Sequence, residues 1–251
     1  MGICQSCGKS YSGGVCQHCG YNPQALNIAQ QVSTAKAKVP CELDIAILID
    51  RTASSDQFSR GIKGAVALLL NLLSSKCAAV KVWLHTYGDE DFGQQPETLC
   101  AGTSVQEADE AIKRLTFGGG GDPEETHHEG LLYALRQTNW NTGPLVRRAI
   151  VWFMTNKPKP LKNGVTPKQI GEECAQKDIA LVVVSDMPDF YQEIVEAANG
   201  TFAEYLFSIS NDPTPAEWQK VVHRVAASVS RTASAEDDAT LPLGQSGPST
   251  L

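Results

Sequence analysis

Two sets of residues in this chain have types and spacings that could do chemistry. The first is Cys4-x-x-Cys7-Gly8, followed by Cys16-x-x-Cys19-Gly20. Two thiolates in a C-x-x-C unit grip one face of a tetrahedral ion, and a second unit closes the other face. The glycine after each pair permits a tight turn, so that backbone N–H groups approach the sulfurs. Four thiolates fill the coordination sphere of Zn2+ and leave no open position for a reacting group, so the predicted role is structural. The insert 9–15 is polar and nearly without apolar side chains, so metal binding must supply the folding energy of this segment. A disulfide pairing would need an oxidising compartment. A redox C-x-x-C would open a helix in a βαβ unit, and neither pair does.

The second set is built from oxygen. Asp50, Thr52 and Ser54 are spaced by two in Asp50-Arg51-Thr52-Ala53-Ser54 and follow an apolar run. One carboxylate and two hydroxyls are hard ligands, suited to Mg2+ or Mn2+. Further along, Phe117-Gly118-Gly119-Gly120-Gly121-Asp122-Pro123-Glu124 places Asp122 at the expected N-cap of a helix, and Thr155-Asn156 follows another apolar run. Asp122 and Asn156 are the further candidate ligands.

The elements that would position these oxygens alternate regularly. Strands are expected at 43–49, 80–87, 97–101 (a short edge strand), 149–155, 179–185 and 202–208. Helices are expected at 56–74, 104–115, 123–137, 166–177, 188–198 and 215–230. Ser104 and Glu107 form a capping-box pattern. Such alternation predicts an α/β fold: a doubly wound, mostly parallel sheet covered by helices on both faces, preceded by the small zinc module. Ligands of these folds bind beyond the carboxyl ends of the strands, and the oxygen cluster sits there in sequence.

Residues 4–20 resemble a short zinc ribbon. The longer segment is similar to the von Willebrand factor type A domain, a Rossmann-like fold. The metal-ion-dependent adhesion site (MIDAS) of that family reads D-x-[ST]-x-S, then a Thr or acid on a glycine loop, then an Asp after the fourth strand. Asp50, Thr52 and Ser54 match in full. The run from Gly119 to Glu124 resembles the G-G-G-D-x-P-E variant, one residue shorter, and Tyr87-Gly88-Asp89 resembles the Y-x-D of the same branch. Asn156 stands where the family usually has Asp, which removes one negative charge. The resemblance implies a divalent ion with one open position, filled by a Glu or Asp of a partner protein. It implies recognition and no catalysis.

The resulting division is a zinc ribbon at 1–21, a linker at 22–40 with one short helix, a von Willebrand A type domain at 41–230, and a disordered tail at 231–251. The net charge of −7 conceals an asymmetry. The first forty residues carry Lys9, Lys36 and Lys38 and no acid. An acidic body disfavours broad nucleic-acid or anionic-membrane binding. The basic start keeps a nucleic-acid-associated factor, contacting through the ribbon, as the alternative function. No apolar run is long enough to span a bilayer, and no signal-peptide pattern opens the chain. Met1-Gly2 with Ser6 matches a myristoylation pattern, but Cys4 within it has the better use in zinc binding. Cys41, Cys77, Cys100 and Cys174 read as small apolar residues in a reducing compartment, which places the protein in the cytoplasm.

Two other signals are set aside. Glu124 and His128, four apart, could share a helix face with His127 adjacent, but H-E-x-x-H spacing is absent. His85 reads as a satisfied interior histidine. No nucleophile elbow, Walker loop or dinucleotide fingerprint is present. The expected protein is an adaptor that binds a partner protein through a divalent ion.

Overall fold

The computed structural model describes residues 2–3, 10–11, 42–162, 164–199, 206–210 and 213–232. It divides into two units, Met1–Val39 and Pro40–Leu251. In the first unit, strands β1 (Gly2–Ile3) and β2 (Ser10–Tyr11) pair antiparallel, Gly2 opposite Tyr11 and Ile3 opposite Ser10. Cys4, Cys7, Cys16 and Cys19 lie outside the described residues, as do Cys41, the linker helix and the tail beyond Thr232.

The second unit is built on β3 (Glu42–Asp50), whose residues from Leu43 to Asp50 are all buried. A strand buried on both faces is an uninterrupted apolar run, and β3 from Leu43 onward is one apart from Asp44 and Asp50. The other strands of this sheet are β4 (Ala79–Tyr87), β5 (Glu97–Thr103), β7 (Val146–Met154), β9 (Ile179–Ser185) and β10 (Leu206–Ser208). Their order is β10-β9-β7-β3-β4-β5, parallel except for the antiparallel edge strand β5. This is the doubly wound α/β fold expected from the alternation of elements. The chain leaves β3 in one direction to β4 and later returns on its other side as β7. The carboxyl ends of β3 and β7 therefore meet at the switch point.

Helices cover both faces. Helix α2 (Ser59–Ser74) packs against α3 (Val105–Arg114) and α7 (Pro215–Thr232); on the other face α5 (Pro167–Gln176) packs against α4 (His127–Gln137) and α6 (Gln192–Asn199). Gly61 lets α2 approach α7, since a Cβ there would collide with the Trp218 ring. The capping box of α3 is formed by Ser104 and Glu107, and an equivalent box of Thr166 and Gln169 opens α5 behind Pro167. Cys174 is buried, which pushes its thiol up to about 12. Cys77 and Cys100 are half-buried against the core.

Strand ends shift by up to three residues, and three helix starts differ from the sequence reading. The helix expected over 56–74 is preceded by a single turn, α1 (Ala53–Asp56), and itself begins only at Ser59 as α2. Residues 188–191 form a 3-10 turn before α6. The helix expected from Pro123 begins only at His127, with Thr126 as N-cap, so Asp122 caps no helix. Glu124–Glu125 (β6) instead pairs parallel with Lys157–Pro158 (β8), and Lys159 N donates to the Glu125 carbonyl at 2.8 Å. This pairing takes the backbone that a first helical turn would have used. Among the described residues no helix is long and apolar enough to cross a membrane.

Candidate metal centre

Asp50 is the last residue of β3, and its carboxylate is fully buried. Its Oδ1 accepts from the Thr52 backbone N–H at 2.9 Å and the Thr52 hydroxyl at 2.7 Å. Its Oδ2 accepts from the Ser55 hydroxyl at 2.7 Å. Burial raises the Asp50 pKa, and the bonds from Thr52 and Ser55 work against that rise. Ser54 Oγ stands 2.9 Å from Thr52 Oγ1 and 3.1 Å from Thr155 Oγ1. Thr155 Oγ1 in turn lies 2.9 Å from Ser55 Oγ. The structure thus brings together all three residues of the D-x-[ST]-x-S spacing and adds two hydroxyls, those of Ser55 and Thr155. The sequence contained a signal for both: Ser55 follows Ser54 directly, and Thr155 ends the apolar run that Asn156 follows.

The glycine loop is stitched to this cluster through its backbone. Gly118 N donates to the Arg51 carbonyl at 2.8 Å, and Ala53 N donates to the Gly119 carbonyl at 3.1 Å. Gly119 and Gly120 have φ of 84° and 77°, a left-handed conformation that residues with a Cβ rarely enter. That is why glycines are needed here.

Asp122 and Asn156 are placed differently from the first three. Asp122 is exposed, and its carboxylate lies 3.1 Å from Lys159 Nζ. That ammonium also meets both oxygens of the buried Asp89 at 2.8 Å and Asp91 at 2.9 Å. Burial opposes its charge, but the three carboxylates outweigh burial and push its pKa up. Asp89, from the Y-x-D match, is therefore the partner of a lysine. Asn156 has φ of 66°, in the left-handed region that Asn tolerates. Its N–H donates to Asp186 Oδ1 at 3.0 Å, and its carbonyl accepts from Tyr191 Oη at 3.1 Å.

Glu125 is a residue the sequence reading passed over. Its side chain is 2% exposed, and its Oε2 has no hydrogen-bond partner. A Cβ on Gly120 would lie 3.5 Å from Glu125 Oε1 and 3.6 Å from Thr52 Cβ, so the carboxylate and Thr52 face one point. Burial, with Asp50 and Asp89 adding to it, pushes the Glu125 carboxyl up to about 8. The signal was present as the second of two adjacent glutamates after the glycine loop.

His85, His127 and His128 are interior groups. His85 is bracketed by Thr98 at 2.9 Å and Thr138 at 2.8 Å, and burial holds its pKa down at about 4. Tyr87 Oη accepts from Trp152 Nε1 at 3.0 Å and is hydrogen-bonded to His127 Nδ1 at 2.6 Å. His127 and His128 pack edge-on or tilted among Trp152 and Tyr191, and burial lowers them to about 3 and about 4. Glu124 stands apart, in β6 and paired with Lys157 at 2.6 Å. It shares no helix face with His128, which removes the geometric basis of a hydrolytic site there.

Among the described residues, no three His, Cys, Asp or Glu side chains are grouped to hold a metal. The oxygen cluster is of another type: one buried carboxylate amid hydroxyls, with a second buried carboxylate at Glu125. Hard oxygens of this kind suit Mg2+ or Mn2+, and the unpartnered Glu125 oxygen fits a cation beside it.

The order of strands and the placement of this cluster at the switch point decide the fold. It is that of a von Willebrand A domain. The second unit is similar to the VWA domain of SpRpn10, with a TM-score of 0.55 and 18% identity over 70% of this chain and 92% of that one. It is also similar to proximal thread matrix protein 1 of the mussel byssus, with a TM-score of 0.59 and 13% identity over 77% of this chain. A further structure of the mussel protein, with a zinc-occupied MIDAS motif, has a TM-score of 0.57 and 14% identity over 74% of this chain. This chain spans about half of the mussel protein, 47% and 46% in the two structures. Neither a family profile nor a curated protein sequence matches it.

Proposed function

We propose that this protein is an intracellular, cytoplasmic interaction module that binds a partner protein through a divalent ion, and that it is no enzyme. The observation that carries the reading is the convergence of Asp50, Thr52, Ser54 and Thr155 at the carboxyl edge of the sheet, within 2.7–3.1 Å of one another in a chain. The mussel protein with a zinc-occupied MIDAS supports the use of this fold for metal binding.

The ion is Mg2+ or Mn2+, held by Asp50, Thr52 and Ser54. When bound, it would supply a positive charge for a partner's Asp or Glu carboxylate to meet. The chain's own residues do the positioning. Ser55 and Thr155 orient Asp50, and the glycine loop fixes the Asp50 loop through two backbone hydrogen bonds. Thr155 continues into Asn156, whose backbone is tied to Asp186 and Tyr191. Of the two further candidates, Asn156 follows Thr155 directly, whereas Asp122 is engaged by Lys159. Cys4, Cys7, Cys16 and Cys19 bind a separate structural Zn2+, which folds the N-terminal module.

The test is a pull-down from cell extract with the full chain, with and without chelator, beside Asp50→Ala. A partner lost in both treatments supports the ion bridge. A partner retained by Asp50→Ala in the presence of chelator contradicts it.

A further inference from the structure

Resting on that reading, we infer that the second carboxylate of the divalent site is Glu125, and that Asp122 belongs instead to the ion-pair cluster around Lys159. Charge accounts for the need. Asn156 removes a negative charge from the ligand set, and Asp50 alone leaves a divalent ion poorly neutralised. Ligand charge count is one of the main settings of affinity in all-oxygen sites.

Two carboxylates lie on or beyond the glycine loop, and the structure separates their roles. Asp122 is exposed and has partners: Lys159 Nζ at 3.1 Å, and the Glu124 backbone N–H, which its Oδ1 accepts at 3.2 Å. Moving it toward Asp50 would break an ion pair. Glu125 is 2% exposed, and its Oε2 has no partner. Its Oε1 faces Thr52 across Gly120. A buried carboxylate without a full complement of donors is costly, and native structures keep one only where something else pairs with it. Lys159 is the ammonium that acts on Glu125, but its close contacts are spent on Asp89, Asp91 and Asp122. A cation beside Thr52 would pair Asp50 and Glu125 at once.

The backbone supports the same placement. Glu125 is pinned by β6–β8 pairing and by Lys159 N on its carbonyl, and Thr126 Oγ1 donates to the Gly88 carbonyl at 2.7 Å. The Glu125 carboxylate is thus set on a fixed element, whereas Asp122 sits on the exposed turn before it.

The experiment is Mn2+ titration of the full chain, purified in the presence of zinc and followed by the electron paramagnetic resonance signal of free Mn2+. Wild type is compared with Asp50→Asn, Glu125→Gln and Asp122→Asn, with circular dichroism as the check on folding. Glu125→Gln is expected to weaken Mn2+ binding about tenfold or more, as loss of a ligand charge does. Asp122→Asn should stay within about threefold of wild type, as for an exposed ion pair. Should Glu125→Gln depart from the wild-type circular dichroism, Glu125→Asp carries the same comparison by withdrawing the carboxylate one methylene. Unchanged binding in the Glu125 variant, or a loss in Asp122→Asn as large as in Glu125→Gln, overturns the assignment alone. Wild type that takes up no Mn2+ overturns the assignment together with the reading beneath it.

Discussion

Lys159 shows how a single residue holds charge in this protein. Its ammonium is mostly buried and is shared by Asp89, which is fully buried, and by Asp91 and Asp122, which are not. Removing one partner of a buried pair leaves an uncompensated charge, a penalty of about 3–5 kcal/mol. Lys159→Met should therefore lower stability by roughly 3 kcal/mol in urea unfolding, whereas Asp91→Asn should change it far less because Asp91 is half exposed. Equal effects of the two would show that Asp89 finds another partner. Asp50, Thr52 and Ser54 were readable in sequence because hydroxyl and carboxylate spacing is a local pattern, whereas Ser55 and Thr155 join them only in the fold. Glu125 was not, because its meaning lies in burial beside Asp50, and burial is a tertiary property. The same holds for Lys159, one more lysine in a polar stretch until three carboxylates meet at it.

At the scale of elements, the glycine loop and α4 decide the site. Gly120 has φ of 77° and faces both Thr52 and Glu125. Its replacement by Ala should destabilise the domain by about 1–2 kcal/mol, the usual cost of a Cβ in the left-handed region. It should also weaken Mn2+ binding, since the added methyl lies in the gap between Thr52 and Glu125. Thermal melts with and without Mn2+ check both effects, and an undiminished Mn2+-dependent shift would contradict the second. The start of α4 was misread because Glu-rich sequence after Pro123 has good helix propensity. The competing β6–β8 pairing depends on residues more than thirty positions away. By contrast the capping box at Ser104 and Glu107 involves only local groups, and the sequence showed it directly. The strands β3, β7 and β9 were equally legible, since burial on both faces requires an unbroken apolar run.

For the whole molecule, the buried histidines set a pH dependence. His85 and His128 are held near 4 and His127 near 3, below the ordinary 6.5. The folded state keeps them neutral while the unfolded chain takes up protons below pH 6.5, so stability is lost as pH falls through that range. Glu125 acts in the opposite sense. Its carboxyl is raised to about 8, so its contribution favours the folded state at low pH and is lost as pH rises from about 4.5. Asp44, Asp50 and Asp186 are also raised by burial and act in the same sense as Glu125, so the histidine share is read from one residue: His85 should cost about 2 kcal/mol more at pH 5 than at pH 7. Urea unfolding of wild type and His85→Gln at the two pH values measures it, and an equal pH dependence of the two proteins would contradict it. The zinc proposal also belongs at this scale. The full chain should carry near-stoichiometric zinc by metal analysis, and Cys7→Ser should lose it. The doubly wound order of strands followed from the alternation of elements, because each helix must cover the sheet between successive strands. Nothing comparable in the sequence states which partner the carboxyl edge would meet.

The central claim is that Asp50 anchors a divalent ion at the carboxyl edge of the sheet. Calorimetric titration of the full chain with Mn2+, beside Asp50→Ala, tests it most directly. Saturable uptake of about one ion by the wild type, absent in Asp50→Ala, is the predicted result. The same heat of binding from both proteins, or none from either, would contradict it.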